Sequence, residues 1–113
     1  MMTKITAIIR SSRFEAVKES LGRHGLKGLT VTQVTGAGLQ QGKTAHYRGN
    51  KYEVNLLPKV KIEIVADSDV VDELVSIITE EARTGEIGDG KIFISSVDDV
   101  IRIRTGERGV NAL

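Results

Sequence analysis

The apolar and polar positions of the chain divide it into strand-like and helix-like stretches. Apolar residues alternate with polar ones over residues 4–10, 60–65 and 100–104, and runs rich in β-branched residues fill 29–35 and 91–97. A period of two is typical of strands, and β-branched residues favour them. The pattern therefore predicts five strands, of which the last is short.

Two further stretches carry apolar residues at helical spacing. Phe14, Val17 and Leu21 form one apolar stripe, and Val71, Leu74, Val75, Ile78 and Ala82 form the other. We expect the first helix to begin with a capping box, in which the Ser12 hydroxyl accepts the backbone N–H of Glu15. We expect Ser68 or Asp69 to cap the second helix.

The order of these elements, strand-helix-strand given twice, predicts the fold class. It matches the double βαβ pattern of an α+β, ferredoxin-like, two-layer sandwich with both helices on one face of the sheet. We expect a long loop between the two halves, because residues between Gly36 and Pro58 are mostly glycine and polar residues without a strand or helix pattern. Irregular connections of about 20 residues are uncommon in compact domains and are usually functional or disordered.

The predicted sheet has one face that no helix covers. We expect Ile8, Val65 and Phe93 on that face, together with whichever of Val31 and Val34 shares their phase. An apolar face that one chain cannot cover predicts self-association. A surface that merely mixes apolar and polar residues is the alternative.

Composition narrows the class of protein. The 113 residues suit a single domain over 1–113. The absence of cysteine excludes disulfides and thiolate metal sites, and no stretch approaches the roughly 20 apolar residues of a membrane span. No signal-peptide pattern is found at the N-terminus, so we expect a cytoplasmic protein. The 16 basic and 15 acidic residues nearly cancel, which argues against bulk attraction to nucleic acid or membrane.

Three classes of function fit such a fold, and two of them find little support. An RNA-binding sheet places aromatic residues on its central strands, and only Phe93 is available here. Catalysis lacks a nucleophile and a positioned base, since His24 falls at a helix end and His46 in the long loop. We therefore expect neither nucleic-acid binding nor enzyme activity, and no metal site built from clustered side chains.

The third class, anion binding, rests on the stretch Thr84-Gly-Glu-Ile-Gly-Asp-Gly-Lys91. Its glycines permit backbone angles that let several N–H groups converge on one anion, and Lys91 adds a positive charge. It is not a P-loop, because Ile92 stands where Ser or Thr would hold magnesium. A glycine-rich helix end and turn is the alternative. Arg102 and Arg104, on one face of the predicted last strand, favour a polyphosphate site.

Four longer motifs, in this order along the chain, resemble those of the PII nitrogen-regulatory signal proteins. They are Tyr47-Arg-Gly-Asn-Lys-Tyr52, Leu57-Pro-Lys-Val-Lys-Ile62, Thr84-Gly-Glu-Ile-Gly-Asp-Gly-Lys-Ile-Phe93 and Val100-Ile-Arg-Ile-Arg-Thr-Gly-Glu-Arg-Gly109. The resemblance covers essentially the whole chain. It implies a homotrimer of ferredoxin-like subunits that is a sensor rather than an enzyme. It also implies ATP or ADP in each cleft between neighbours, with 2-oxoglutarate bound through Mg²⁺-ATP.

The resemblance further implies three functional loops and a nucleotide site. Residues 38–58 correspond to the family's T-loop, 83–91 to its B-loop and 98–113 to its C-terminal loop. Phosphate contacts are implied for Gly88, Asp89, Gly90 and Lys91 of one subunit and for Arg102 and Arg104 of the next. The adenine side would be lined by Thr30, Glu63 and Val65 with Ile8 beneath, and Gly36 and Gly38 are points of close approach.

The effector site and the output surface are implied in the same way. Gln40 corresponds to the glutamine that binds Mg²⁺ and 2-oxoglutarate, Lys59 to the lysine that pairs with the distal carboxylate, and Gly42 contributes backbone. Tyr52 corresponds to a tyrosine nucleotidylated in some members, and Arg48 to the arginine that enters an ammonium channel in members that block it. The expected partner is such a channel or another transporter, a transcription regulator or a metabolic enzyme. The membrane would be reached only through a partner.

Departures from the family's usual pattern leave one alternative open. Leu39 and Gln41 stand where an arginine and a lysine are usual. The alternative is a nucleotide-only energy sensor that binds ATP and ADP without 2-oxoglutarate and regulates a different transporter or enzyme. Asn50 stands where some members carry a phosphorylated serine, which excludes that modification, and Lys51 replaces the glutamate before the tyrosine.

Overall fold

The computed structural model describes residues 1–41 and 52–113, and gives only the backbone of 38–41 and 52–55. The strands and helices of the described residues are β1 (Met2–Arg10), α1 (Phe14–Arg23), β2 (Thr30–Gln41), β3 (Tyr52–Asp67), α2 (Val71–Ala82) and β4 (Lys91–Val97). Short 3₁₀ turns occupy Ser11–Arg13, Ser68–Val70 and Gly109–Ala112. The predicted order of strand, helix and strand, given twice, is confirmed.

The strands form one antiparallel sheet in the order β2-β3-β1-β4. β1 lies in the centre beside β3, and Ile5 of β1 stands opposite both Ile64 of β3 and Ile94 of β4. The strands on either side of each helix in the sequence are therefore separated by one other strand in the sheet. This topology is the ferredoxin-like fold, so the predicted fold class is confirmed.

The core lies between the helices and one face of the sheet. Ile5, Ala7 and Ile9 of β1 are buried in alternation with partly exposed residues, and Ile62 and Ile64 of β3 are buried beside them. The predicted helical stripes close the other side of this core. Val17, Leu21, Val71, Leu74, Ile78 and Ala82 are buried, with Phe14 and Val75 partly buried against them. A fully buried isoleucine or leucine stabilises the fold by about 1.5–3 kcal/mol.

Apolar side chains also lie on the opposite face of the sheet. Val34 lies on this open face, whereas Val31 does not, because Val31 stands opposite Ile62 of the core. Val65 and Phe93 are 36% and 53% exposed there. The register thus resolves which valine of β2 shares the phase of the open face, a question that the sequence left undecided.

β2 and β3 extend further into residues 36–58 than the pattern predicts. They pair as a hairpin over the whole length of β2. The adjacent residues Leu56 and Leu57 are 68% and 46% exposed, so both faces of this part of the hairpin are exposed to solvent. Backbone groups make the ladder and need no apolar side chains. The alternation of apolar and polar residues that marks a half-buried strand is therefore missing from this part of the hairpin. Residues 42–51 lie outside the described residues.

The predicted strand over residues 100–104 is wrong. Ile101 makes a single antiparallel bridge to Arg108. Gly106, which has a φ of 74°, donates its backbone N–H to the oxygen of Arg102 at 2.7 Å, so the chain turns there. An apolar-polar alternation of five residues predicts an extended segment but not a pairing partner.

Both predicted helix caps are also wrong. A 3₁₀ turn leads into α1, and no side chain caps either of these segments. In front of α2 it is Asp67, one residue before the predicted Ser68, that accepts the backbone N–H of Asp69 at 3.0 Å. Each helix is preceded by a 3₁₀ turn, a common feature of helix ends that the capping patterns do not predict.

Candidate ligand-binding site

The glycine-rich loop between α2 and β4 is fixed against the end of β1. Gly90 has a φ of 99°, and a Cβ atom at its position would lie 1.7 Å from the backbone oxygen of Ile8. Only glycine fits so close to a neighbouring backbone. Lys91 follows directly and stands opposite Ile8 in the sheet. Gly85 and Gly88 also have positive φ, of 89° and 106°. The expected use of these glycines for special backbone angles is confirmed.

Hydrogen bonds to Asp89 hold the two ends of this loop together. Its carboxylate accepts the backbone N–H of Thr84 at 2.8 Å and that of Gly85 at 2.9 Å, and it also accepts the Thr84 hydroxyl. Arg10 donates from Nε to the same carboxylate at 3.0 Å. The Thr84 hydroxyl and backbone N–H, with Arg10 and Gly85, hold the pKa of Asp89 far below its ordinary range. The carboxylate is therefore ionised at neutral pH.

Two cations converge on Gly88. Arg10 donates from Nη2 to the backbone oxygen of Ile87 at 2.8 Å, and Lys59 donates from Nζ to the backbone oxygen of Gly88. A Cβ atom at Gly88 would lie 3.2 Å from Arg10 Nη2 and 3.6 Å from Lys59 Nζ. Sequence reasoning missed Arg10. Its place in the site follows from the register of β1 and β3, in which Arg10 stands opposite Lys59.

Lys59 connects the hairpin to the loop. Its side chain is buried, at 8% exposure. A Cβ atom at Gly36 of β2 would lie 3.1 Å from Lys59 Cγ, so the absence of a side chain at Gly36 makes room for the lysine side chain. Among the described residues, the structure thus brings Gly36, Lys59, Gly88 and Arg10 together at one end of the sheet. This group is electropositive and suits an anion.

Several predicted residues lie in the hairpin beyond this point. Gly38 and Gln40 belong to β2, where Gln40 stands opposite Glu53, and the Gln40 side chain is outside the described part. Tyr52 begins β3, with only its backbone described. Gly42 and Arg48 lie outside the described residues altogether. The predicted roles of these residues in effector binding, modification and partner contact stay predictions.

A second group of predicted residues lies at the other end of the sheet. Thr30 stands opposite Glu63, and both line a depression of about 570 Å³ together with Val65. Lys4 pairs with Glu63 at 2.7 Å, and this hydrogen bond lowers the pKa of Glu63. Val97, at the far end of β4 from Lys91, lines the same depression. Six residues of a strand span about 20 Å, so one chain places this group far from the loop.

The two predicted arginines lie in the C-terminal segment. Arg102 donates to Glu107 at 3.2 Å and to the backbone oxygen of Leu113 at 2.8 Å, so its guanidinium is held by its own segment. Arg104 is exposed. The hydrogen bonds and ion pairs of the described residues do not join either arginine to the glycine-rich loop. The predicted site that joins the loop to these arginines across two chains stays a prediction.

The fold and the site thus define the class: a ferredoxin-like protein with a glycine-rich loop that Arg10 and Lys59 contact. The sequence profile described as "Nitrogen regulatory protein P-II" matches residues 2–107. The chain is 54% identical over 112 residues to "Nitrogen regulatory protein P-II 2" of Methanothermobacter thermautotrophicus, covering 99% of this chain and 97% of the relative. The chain therefore belongs to the nitrogen regulatory protein P-II family.

Two solved structures are similar over nearly the whole chain. The B. subtilis GlnK-ATP complex has a TM-score of 0.83 and 39% identity, covering 99% of this chain and 97% of that one. Arabidopsis thaliana PII bound to citrate has a TM-score of 0.79 and 41% identity, covering 99% of this chain and 92% of that one. These neighbours share the fold and bind, respectively, a nucleotide and a small polycarboxylate.

Neither described helix has the length and apolar character that crossing a bilayer requires.

Proposed function

We propose that this P-II family protein is a cytoplasmic, trimeric regulator of nitrogen metabolism and not an enzyme. It senses ATP and ADP, and it binds 2-oxoglutarate with Mg²⁺-ATP. The observation that carries the proposal is the loop at Gly88–Lys91, where glycine backbone, Arg10 and Lys59 converge at one end of the sheet. Backbone N–H groups in such a loop, with cations beside them, recognise phosphates and carboxylates.

In the proposed nucleotide site, the phosphates lie on the loop of one subunit and the base lies toward the sheet. The loop residues are Gly88, Asp89, Gly90 and Lys91, with Gly36, Gly38 and Gln40 at the hairpin. The neighbouring subunit supplies Arg102 and Arg104, and Thr30, Glu63 and Val65 line the base side with Ile8 beneath. The similar GlnK-ATP complex supports a nucleotide as the ligand.

The trimer is part of the same proposal. Within one chain, the group around Thr30 and the glycine-rich loop lie at opposite ends of β4. Arg102 is held by bonds to Glu107 and Leu113 of its own segment. A cleft between two copies brings these parts together, and the exposed Val65 and Phe93 of the open sheet face provide apolar area for the contact.

The effector part of the proposal places 2-oxoglutarate between Gln40, Gly42 and Lys59, with Mg²⁺ held by Gln40 and ATP. Lys59 is a buried cation at the base of the hairpin, and Arg10 Nη2 lies beside it near Gly88. Lys59 supplies the positive charge for a carboxylate, whereas the charge of Arg10 is already paired with Asp89. The similar PII structure with citrate supports a polycarboxylate ligand. Mg²⁺ takes oxygen ligands, which a glutamine amide and phosphates supply.

Output is proposed to run through residues 38–58, which include Arg48 and Tyr52, toward an ammonium channel, another transporter, a transcription regulator or a metabolic enzyme. Arg48 would contact the partner, and Tyr52 is the position for modification. No contact with nucleic acid is proposed. The membrane is reached only through a partner.

A nucleotide-only energy sensor is the second candidate. Lys59 already donates to the oxygen of Gly88, so a carboxylate must compete with that bond. Leu39 and Gln41 also supply no charge where arginine and lysine are usual in the family. In this case ATP and ADP would bind and 2-oxoglutarate would not.

Calorimetric titration tests both candidates. ATP and ADP are titrated first, and 2-oxoglutarate is then titrated with and without Mg²⁺-ATP. We expect 2-oxoglutarate to bind only with Mg²⁺-ATP, and we expect Gln40→Ala to abolish its binding while ATP still binds. No binding of 2-oxoglutarate under any condition would establish the nucleotide-only sensor instead. Sustained ATP hydrolysis that is lost in Lys91→Ala would support an enzyme and overturn the proposal.

A further inference from the structure

The carboxylate of Asp89 has no acceptor site left for a ligand. Its Oδ1 accepts Arg10 Nε and the Thr84 hydroxyl, and its Oδ2 accepts the backbone N–H groups of Thr84 and Gly85. A carboxylate offers about four lone-pair positions on its two oxygens. Four donors therefore use them all.

These bonds close the loop on itself. Thr84 is the first residue of the glycine-rich stretch, and Asp89 is the sixth. The Thr84 hydroxyl both donates to Asp89 and accepts the backbone N–H of Glu86 at 3.1 Å, so it holds two points of the loop. Arg10 then ties the closed loop to β1 through Asp89 and through the backbone oxygen of Ile87.

We propose that the carboxylate of Asp89 positions the nucleotide site: it closes residues 84–89 into the ligand-binding shape and does not itself contact the phosphates or Mg²⁺. This inference rests on the proposed nucleotide binding. A direct contact would have to break one of the four bonds. A carboxylate beside a phosphate would also be repelled by it, because two like charges a few ångströms apart raise each other's energy.

Asp89→Asn tests the proposal, because an amide keeps the shape of the side chain but offers one acceptor oxygen instead of two. Two measurements are made. Amide hydrogen exchange at Thr84 and Gly85 is followed without nucleotide, and affinities for ATP and ADP are measured with and without Mg²⁺. We expect exchange at both amides to accelerate about tenfold, and affinity for both nucleotides to fall about tenfold whether or not Mg²⁺ is present.

Thr84 supplies the second variant and its rescue. Thr84→Val removes the hydroxyl and should act in the same direction as Asp89→Asn. Thr84→Ser keeps the hydroxyl and should restore wild-type exchange and affinity. Asp98→Asn, at an exposed aspartate beyond the other end of β4, is the matched control and should change neither. Thermal unfolding of each variant shows that the domain remains folded.

Two results would overturn the positioning role. One is a loss of affinity confined to Mg²⁺-ATP with unchanged amide exchange, which is the behaviour of a metal or phosphate ligand. The other is wild-type exchange and affinity in Asp89→Asn. If the wild-type protein bound no nucleotide, the proposed function would fail, while the exchange measurement would still decide whether Asp89 closes the loop.

Discussion

Lys59 of β3 donates a hydrogen bond to the backbone oxygen of Gly88, and so joins the base of the β2–β3 hairpin to the glycine-rich loop. The lysine is buried, and its side chain lies against Gly36 of β2, where an added Cβ would be only 3.1 Å from it. A ligand that draws Lys59 away from Gly88 therefore acts on the loop and the hairpin together. This gives a physical route from ligand binding to the segment proposed to contact partners.

Lys59→Met should weaken 2-oxoglutarate binding at least about thirtyfold, because it removes a buried cation from a dicarboxylate site. The measurement is calorimetric titration of 2-oxoglutarate in the presence of Mg²⁺-ATP. Lys18→Met is the control, since Lys18 lies on α1 and pairs with the exposed Glu15. Unchanged affinity in Lys59→Met would place the effector elsewhere.

Gly90→Ala should destabilise the fold by about 4 kcal/mol or more, because its Cβ would overlap the backbone oxygen of Ile8 and its φ is positive. Urea unfolding measures this change. Gly85→Ala is the matched control, since Gly85 also has positive φ but no atom within 4 Å of the added Cβ. It should cost only about 1–2 kcal/mol. Equal losses in the two variants would contradict the close contact with β1.

Lys4→Met should destabilise the protein at neutral pH and much less in acid. The Lys4 hydrogen bond lowers the pKa of Glu63 from 4.5 in the folded state. A lowered pKa contributes stability that is fully present above 4.5 and is lost as the pH falls through the folded-state value. Urea unfolding from pH 7 to pH 3 checks this. A stability difference between wild type and variant that stays constant over that range would contradict it.

Phe93→Asp should break the proposed trimer, because it places a charge on the open face of the sheet. Ile94→Asp is the matched control. Ile94 is the next residue of β4, is 52% exposed against 53% for Phe93, and points to the opposite face. Light scattering should give three times the 12.3 kDa chain mass for wild type and Ile94→Asp, and the single-chain mass for Phe93→Asp. A trimer of Phe93→Asp would show that the open face is not the contact.

The sequence predicted the part of the fold that buries apolar side chains. Ile5, Ala7 and Ile9 alternate because one face of β1 packs on the helices, and the stripes through Leu21 and Ile78 follow the helical period for the same reason. The extension of β2 and β3 into residues 36–58 was not predicted, because strands that pair through their backbones with both faces exposed show no alternation of apolar and polar residues. The strand predicted over residues 100–104 failed because alternation does not specify a pairing partner.

The candidate site was predictable only as far as its backbone chemistry. Gly88 and Gly90 were recognisable because positive φ and close approach require glycine. Arg10 was not recognisable, since it lies 79 residues from Asp89 along the chain and meets it only through the fold. The hydrogen bonds that Asp89 accepts within the loop were also not predictable, because an aspartate between two glycines is equally consistent with a contact to a ligand.

The nucleotide site is tested by titrating ATP and ADP into the purified wild-type protein and into Lys91→Ala. We expect low-micromolar or tighter binding of both nucleotides to the wild type, with one site per chain. We expect an affinity at least about tenfold weaker in Lys91→Ala, because the lysine beside the glycine loop neutralises phosphate charge. Absence of both binding heat and a thermal shift with either nucleotide would show that this protein does not sense ATP or ADP.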